Sequence, residues 1–277
     1  MKKHLLKVYR LSKRILKRLR NYVLIAWQPV YHATGAKLEC NVCKNQFNQF
    51  DSDLWHAHCN CPVCGSSVRL RLLVAALEHT EKFAYANIIQ NKRILHFAPE
   101  RPLGELLKKR AASYQTADFL AEGYSYKHID HNIDISNMHS INDASYDCVI
   151  ACDVLEHVPD DLKGIREVHR ILNMGGVCIF TVPQKDHLKT TFEDDHVTDK
   201  KERERLFGQE DHLRIYGEDF VERMTSAGFT VSTLDENDFS AQMVTRNVLF
   251  PPILSTHPLA TNYRKIFFGL KTSSDPR

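Results

Sequence analysis

Downstream of residue 67 the apolar positions follow two distinct periods. The runs RILHFA (93–98), YQTAD (114–118), YDCVIAC (146–152) and GVCIFTV (176–182) are short, largely apolar and bounded by turn residues, as buried strands are. Between and around them apolar residues recur every three or four positions, which predicts helices over Ser67–Lys82, Pro102–Arg110, Asp160–Leu172 and Glu218–Ala227. Further strands are expected at Tyr126–Ile129, Phe229–Thr233 and Tyr263–Leu270. Strands alternating with helices imply right-handed crossovers, hence an α/β, Rossmann-like doubly wound sheet.

Three stretches stand outside this rhythm. The first twenty residues carry nine Lys or Arg and no acid, with Leu5, Tyr9, Leu16 and Leu19 at helical spacing. A basic amphipathic helix is expected there, able to lie on an anionic membrane surface with Tyr22 and Trp27 at the interface, or else a solvated tail. Without those nine cations the formal charge falls from +3 to −6, so a broad nucleic-acid face on the remainder is not expected. No apolar run approaches the ~20 residues of a membrane span, and no secretory signal is evident, so a cytoplasmic location, peripheral to the membrane through residues 1–27, is expected. The second stretch is 36–68, which holds five of the eight cysteines, and the third is a long polar insertion over 183–217.

Within 36–68, Cys40 and Cys43 form one C-x-x-C, and Cys61 and Cys64 a second after 17 intervening residues. That spacing predicts a tetrahedral zinc ribbon whose four thiolates leave no position open for a catalytic water. In CPVCG, Pro62 restricts the turn and Gly65 lets amides point at sulfur. A reducing compartment disfavours disulfides, and neither pair sits at the strand-to-helix junction of a redox unit. Cys59, His56 and His58 are read as bystanders.

In an open parallel sheet, ligands lie beyond the carboxyl ends of the strands, which gathers FAPERP, ADF, DIS and CDVLEH, with Asp153, around one crevice. A pyrophosphate needs glycines for close backbone approach, and between 94 and 104 only Gly104 is present. A nucleoside cofactor without pyrophosphate is therefore expected. S-adenosylmethionine is one. Asp118, ending the second strand, is placed to accept both ribose hydroxyls, and Asp134 to accept from the adenine amino group, with Ile135 packing on the ring. Taken singly, either Asp could instead be a cap or turn residue.

YDCVIACDVLEHVPDD followed by REVHRILNMGGVCIFTVP resembles the fourth strand, following helix and fifth strand of the class I S-adenosylmethionine-dependent methyltransferases. Within them, CPVCGS, ILHFAPE and TFED…RLFGQEDHLRIYG resemble a subgroup with an N-terminal zinc ribbon. The resemblance covers about residues 67–270. It implies a seven-stranded sheet with the last strand antiparallel, and a division into a basic tail (1–35), a zinc ribbon (36–68) and a methyltransferase domain (69–277). Where the larger family has an acidic-x-Gly-x-Gly pattern, this chain has HFAPE: His96 stands at the acidic position, and Ala98 and Glu100 at glycines. Ala98 is small enough for close approach, and Glu100 could receive the methionine ammonium.

Methyl transfer is an in-line displacement, and a hydroxyl or amine acceptor also needs a general base. His157 in LEHVP and His212 in GQEDHLRIYG are the candidates. The segment TDKKERERL reads as a solvated helix, whereas FGQEDHLRIYG interleaves apolar anchors with polar groups and is expected to line a site. The acceptor is expected to be a small molecule or a glycan-linked group, on subgroup resemblance. An RNA methyltransferase ranks second, because the ribbon has few cations, and a catalytically silent methyltransferase-fold protein is the remaining alternative.

Overall fold

The computed structural model describes residues 37–52, 56–120 and 129–272. The basic stretch 1–20, Tyr22 and Trp27, and residues 126–128 of the expected third strand lie outside them. No helix among the described residues is long and apolar enough to cross a membrane.

A two-residue hairpin, β1 (Leu38–Glu39) and β2 (Gln46–Phe47), opens the described chain. Helix α1 (Val68–His79) follows, capped by Ser67, whose hydroxyl accepts from the Leu70 amide. Then come α2 (Tyr85–Ile88), β3 (Arg93–Phe97), α3 (Arg101–Lys108), β4 (Ser113–Asp118), β5 (His131–Asn132) and β6 (Tyr146–Cys152). A 3-10 turn at Leu155–His157 leads to α4 (Asp161–Ile171) and directly into β7 (Leu172–Thr181). The insertion contributes β8 (Phe192–Glu193), α5 (Lys200–Phe207) and β9 (Arg214–Ile215). The chain closes with α6 (Phe220–Ser226), β10 (Phe229–Leu234), α7 (Ala241–Asn247) and β11 (Ile266–Lys271).

The main sheet has seven strands in the order β10-β11-β7-β6-β3-β4-β5, with β11 antiparallel to both neighbours and the central strands parallel. The expected seven strands with an antiparallel last one are thus present. The third strand differs from expectation: Ile129 is outside any strand, and the position beside β4 is filled by His131–Asn132. What fixes this edge is polar. The Asp130 carboxylate accepts from the Thr116 amide and hydroxyl, and Ile133 donates to the Asp118 carbonyl. β7 begins four residues before the expected Gly176, with a register irregularity between Tyr146 and Cys148.

Period-two alternation sorts the strands into two apolar layers. Ile94, Cys148, Ile150 and Cys152 face the layer built on α1 and the cysteine segment, while Leu95, Phe97, Val149 and Ala151 face the layer of α4 and α6. Gly269 in β11 is required by closeness, since a Cβ there would stand 2.6 Å from Cys178 Sγ.

Candidate functional site

The two C-x-x-C turns face each other. Cys40 and Cys64 Sγ are 3.7 Å apart, Cys43 and Cys61 Sγ 3.6 Å, and all four sulfurs lie within 4.8 Å of one another. Sulfurs of a tetrahedral zinc with ~2.3 Å bonds stand about 3.8 Å apart, so the donor set fits that ion. Each turn ends on a left-handed residue, Lys44 (φ 60°) and Gly65 (φ 74°), and the Cys64 amide lies 3.5 Å from Cys61 Sγ. Cys59 Sγ instead faces the Ala57 carbonyl, at 3.2 Å. Arg71, fully buried on α1, ties this unit to the sheet domain. Its guanidinium donates to the carbonyls of Ser66, Cys59, Asn247 and Val248. Burial pushes the Arg71 pKa down, and the nearby cysteine sulfurs partly oppose that shift.

At the strand ends, His96 is wholly buried with Nδ1 2.9 Å from the Tyr114 hydroxyl. Gly104 makes room for that pair, because a Cβ there would meet Tyr114 Oη at 2.7 Å. The one glycine of the ILHFAPERPLG stretch therefore serves packing rather than a phosphate. Burial, then the Arg69 charge, pushes the His96 pKa down to about 3. A folded pKa below the unfolded one means the unfolded chain binds the extra proton, so this contribution to stability is full above ~6.5 and is lost as pH falls toward 3. In urea titrations, wild type should lose about 2 kcal/mol more than a His96→Asn variant between pH 7 and pH 5. Equal losses would show that His96 charges freely in the fold.

Ala98 adopts a left-handed conformation (φ 43°) and donates its amide to Ala117, the backbone geometry a glycine would adopt freely. Glu100 already has a partner: its carboxylate is held by both terminal nitrogens of Arg69, at 2.9 and 3.2 Å. The same guanidinium reaches Asp153 Oδ2 through Nε at 3.1 Å, and Arg264 approaches that oxygen at 3.3 Å. Asp153 is left-handed (φ 51°) and accepts from Thr181 Oγ1 at 2.9 Å. Its carboxyl is held below the usual range, the two arginines and the hydroxyl outweighing burial. Arg69 thus links the ends of β3 and β6 within the crevice, a role the sequence reading missed.

Asp118 ends β4. Among the described residues its Oδ1 accepts only from the adjacent Phe119 amide, at 2.8 Å, and burial raises its pKa, so two hydroxyl donors would suit it. Phe119, 64 % exposed at the crevice mouth, is an apolar face beside that carboxylate. Asp134 does what a turn residue does: Oδ1 accepts from the Ser136 amide and hydroxyl at 2.7 and 2.8 Å. Ile135 is buried at 3 %, with Cγ2 against Gly164 of α4, so its side chain fills the core and offers no face to a ring, contrary to the expectation.

The two candidate histidines meet. Their ring centroids are 4.7 Å apart at 82°, although His157 follows β6 and His212 lies in the insertion. His157 is 35 % exposed, with Nδ1 3.5 Å from Asp211 Oδ2. His212 is buried, its Nδ1 3.0 Å from the Phe207 carbonyl, and burial lowers its pKa. A carbonyl only accepts, so Nδ1 carries the proton and Nε2 the lone pair. Next to them Glu156 is buried, and its pKa is raised well above the ordinary range by burial and the Asp153 charge. A cavity of about 180 Å³ adjoins, lined by His212, Gln209, Pro183, Thr261, Arg264 and His56 among others. The rest of the insertion is scaffold. TDKKERERL forms the solvated helix expected, capped by Asp199 and ended by left-handed Gly208. Arg214, expected to line a site, is a buried clamp that holds Glu193 and the carbonyls of Leu155, Val158 and Pro159, while Tyr216, expected as an apolar anchor, is buried and bonds Asp161.

The family model described as a methyltransferase domain matches residues 41–234. The chain belongs to that methyltransferase family. It is an S-adenosylmethionine-dependent methyltransferase with the class I sheet order described above. Among solved structures, it is similar to an S-adenosylmethionine-dependent methyltransferase from Mesorhizobium loti, at 14 % identity over 75 % of this chain and 99 % of that one, with a TM-score of 0.49. It is also similar to the 1,6-didemethyltoxoflavin-N1-methyltransferase of Burkholderia thailandensis, at 13 % identity over 72 % and 79 % of the two chains and a TM-score of 0.45. A methyltransferase from Archaeoglobus fulgidus shows 12 % identity over 66 % and 88 %, with a TM-score of 0.44. No curated protein matches the chain in sequence.

Proposed function

We propose that this methyltransferase acts on a small-molecule or glycan-linked hydroxyl or amine, with His157 and His212 at the acceptor end and a structural zinc on Cys40, Cys43, Cys61 and Cys64. The observation that carries the reading is the meeting of the two imidazoles, from segments 55 residues apart, beside a cavity of about 180 Å³. A cavity of that size suits one small group better than a length of polynucleotide. When bound, S-adenosylmethionine supplies a methyl group on a cationic sulfur that becomes a neutral thioether on transfer. Asp118 is the residue suited to its ribose, with Phe119 as an adjoining apolar face and Ala98 allowing close approach. The carboxylate of Glu100 is committed to Arg69, so the Arg69–Glu100–Asp153 group, rather than Glu100 alone, faces the amino-acid end. His157 and His212 then serve the loss of the acceptor's proton.

Release of S-adenosylhomocysteine is the readout, against sugar nucleotides, phospholipid precursors and RNA. Turnover with RNA alone, together with steeply salt-dependent RNA binding, would replace this reading by the polynucleotide one. With a substrate in hand, Asp118→Ala should weaken donor binding roughly 10- to 100-fold, the cost of one or two charge-assisted hydrogen bonds. His157→Ala should leave donor binding intact and lower kcat by about 10²- to 10⁴-fold. Calorimetry and single-turnover rates separate the two effects, and full turnover by His157→Ala removes the histidine assignment.

A further inference from the structure

We propose that Glu156, His157 and His212 hold a divalent first-row cation at the acceptor end of the crevice, a second metal site apart from the four thiolates. The proposal deepens the acceptor reading above and rests on it only for the ion's role, since ion binding is measurable without turnover.

One oxygen or nitrogen from each of the three side chains lies within 4.8 Å of the others. A point between atoms so spaced is at most about 2.8 Å from each, against ~2.1 Å for imidazole and carboxylate ligands, so each side chain need close by less than an ångström. Among the described residues, two buried atoms there have no hydrogen-bond partner, Glu156 Oε2 and His212 Nε2. They belong to side chains that could satisfy each other by direct contact, yet His212 Nε2 stands 4.0 Å from Glu156 Oε1. A gap too long for a hydrogen bond, between a buried carboxyl group and a buried lone pair, is the gap a cation closes.

The surroundings agree. His212 donates Nδ1–H to the Phe207 carbonyl, the outer contact that fixes a ligating imidazole in the right tautomer. The Asp211 carboxylate lies 3.5 Å from His157 Nδ1, near enough to orient that ring. Two imidazoles and one carboxylate form a mixed nitrogen and oxygen set suited to manganese, iron or zinc, and unlike the thiolate set of the ribbon. The exposed side of His157 leaves room for water or an acceptor hydroxyl as further ligands. An acceptor oxygen bound there would lose its proton to water more readily.

The test uses the full chain with its thiolate site loaded with zinc. Wild type should carry one ion more than His157→Ala and Glu156→Gln, read as bound Mn²⁺ by electron paramagnetic resonance or as a second zinc by atomic emission. The variants should weaken Mn²⁺ binding at least ~10-fold. His157 is partly exposed, so its variant should melt like wild type and show that the loss is local. Identical ion counts in wild type and both variants, for both metals, would overturn the proposal. Loss of the ion with methyl transfer unchanged would sink the acceptor reading and leave the metal site standing.

Discussion

Cys61→Ser should cost the protein one zinc and on the order of 5 kcal/mol of stability, which for a chain of this size is a fall in melting temperature of roughly 10–15 °C. The loss reaches beyond the cysteine segment because that segment has no separate core. Val42, Phe47 and Phe50 share one buried cluster with Leu70, Leu72 and Leu73 of α1, and α1 in turn packs on Ile94, Cys148 and Ile150 of the sheet. Arg71 compounds the effect. Two of the four carbonyls it serves, Cys59 and Ser66, belong to the cysteine segment, and the sulfurs of that segment partly offset the burial that opposes its charge. Once the sulfurs separate, a fully buried cation keeps its desolvation cost and loses part of its compensation. A chelator acting on wild type should reproduce the change. Cys59→Ser should keep the zinc, because that sulfur faces a carbonyl. Metal content and thermal melting of the two cysteine variants decide the matter, and a zinc-free Cys61→Ser protein melting with wild type would refute the staple.

The same dependence explains which parts of the molecule were legible in its sequence. Cys40, Cys43, Cys61 and Cys64 declare themselves because spacing alone limits where four sulfurs can converge, and β6 could be read to the residue because six of its seven positions are apolar and the run is bounded. β5 could not: its two residues, His131 and Asn132, have no apolar period, and the pairing is fixed by Asp130 reaching back to Thr116. Arg69 and Arg71 are two residues apart in one amphipathic run, yet one ties strand ends together and the other clamps the cysteine unit. Nothing local distinguishes them, since the carbonyls that justify burying Arg71 include two contributed 176 and 177 residues later. His157 and His212 were each recognisable, but their meeting depends on where the insertion folds back. Asp134 shows how one position stays ambiguous. A strand-end aspartate with a serine two residues on reads equally well as a turn, and its Oδ1 accepts from the Ser136 amide and hydroxyl.

That fold-back is pinned by buried Arg214, and it yields the other large expected effect. Arg214→Lys should lower stability by about 3 kcal/mol or more and reduce methyl transfer by roughly 10²-fold. The guanidinium uses three nitrogens: Nε on Glu193 at 2.7 Å, Nη1 on Leu155 at 3.0 Å and on Val158, and Nη2 on Pro159 at 2.9 Å. An ammonium has no planar fork and cannot meet a carboxylate and three carbonyls in that arrangement. Leu155 and Val158 bracket Glu156 and His157, while Arg214 itself sits two residues after His212, so the clamp holds both halves of the acceptor end in register. Glu193 also answers Arg223, which bonds Asp161 at the start of α4, so releasing Arg214 loosens the helix behind the turn as well. Arg205→Ala on α5, whose exposed pair with Glu202 stands apart from this network, should unfold with wild type. Urea unfolding and single-turnover rates on both variants test the contrast. If Arg214→Lys kept wild-type turnover while losing stability, the clamp would be a folding device with no part in aligning His157 against His212.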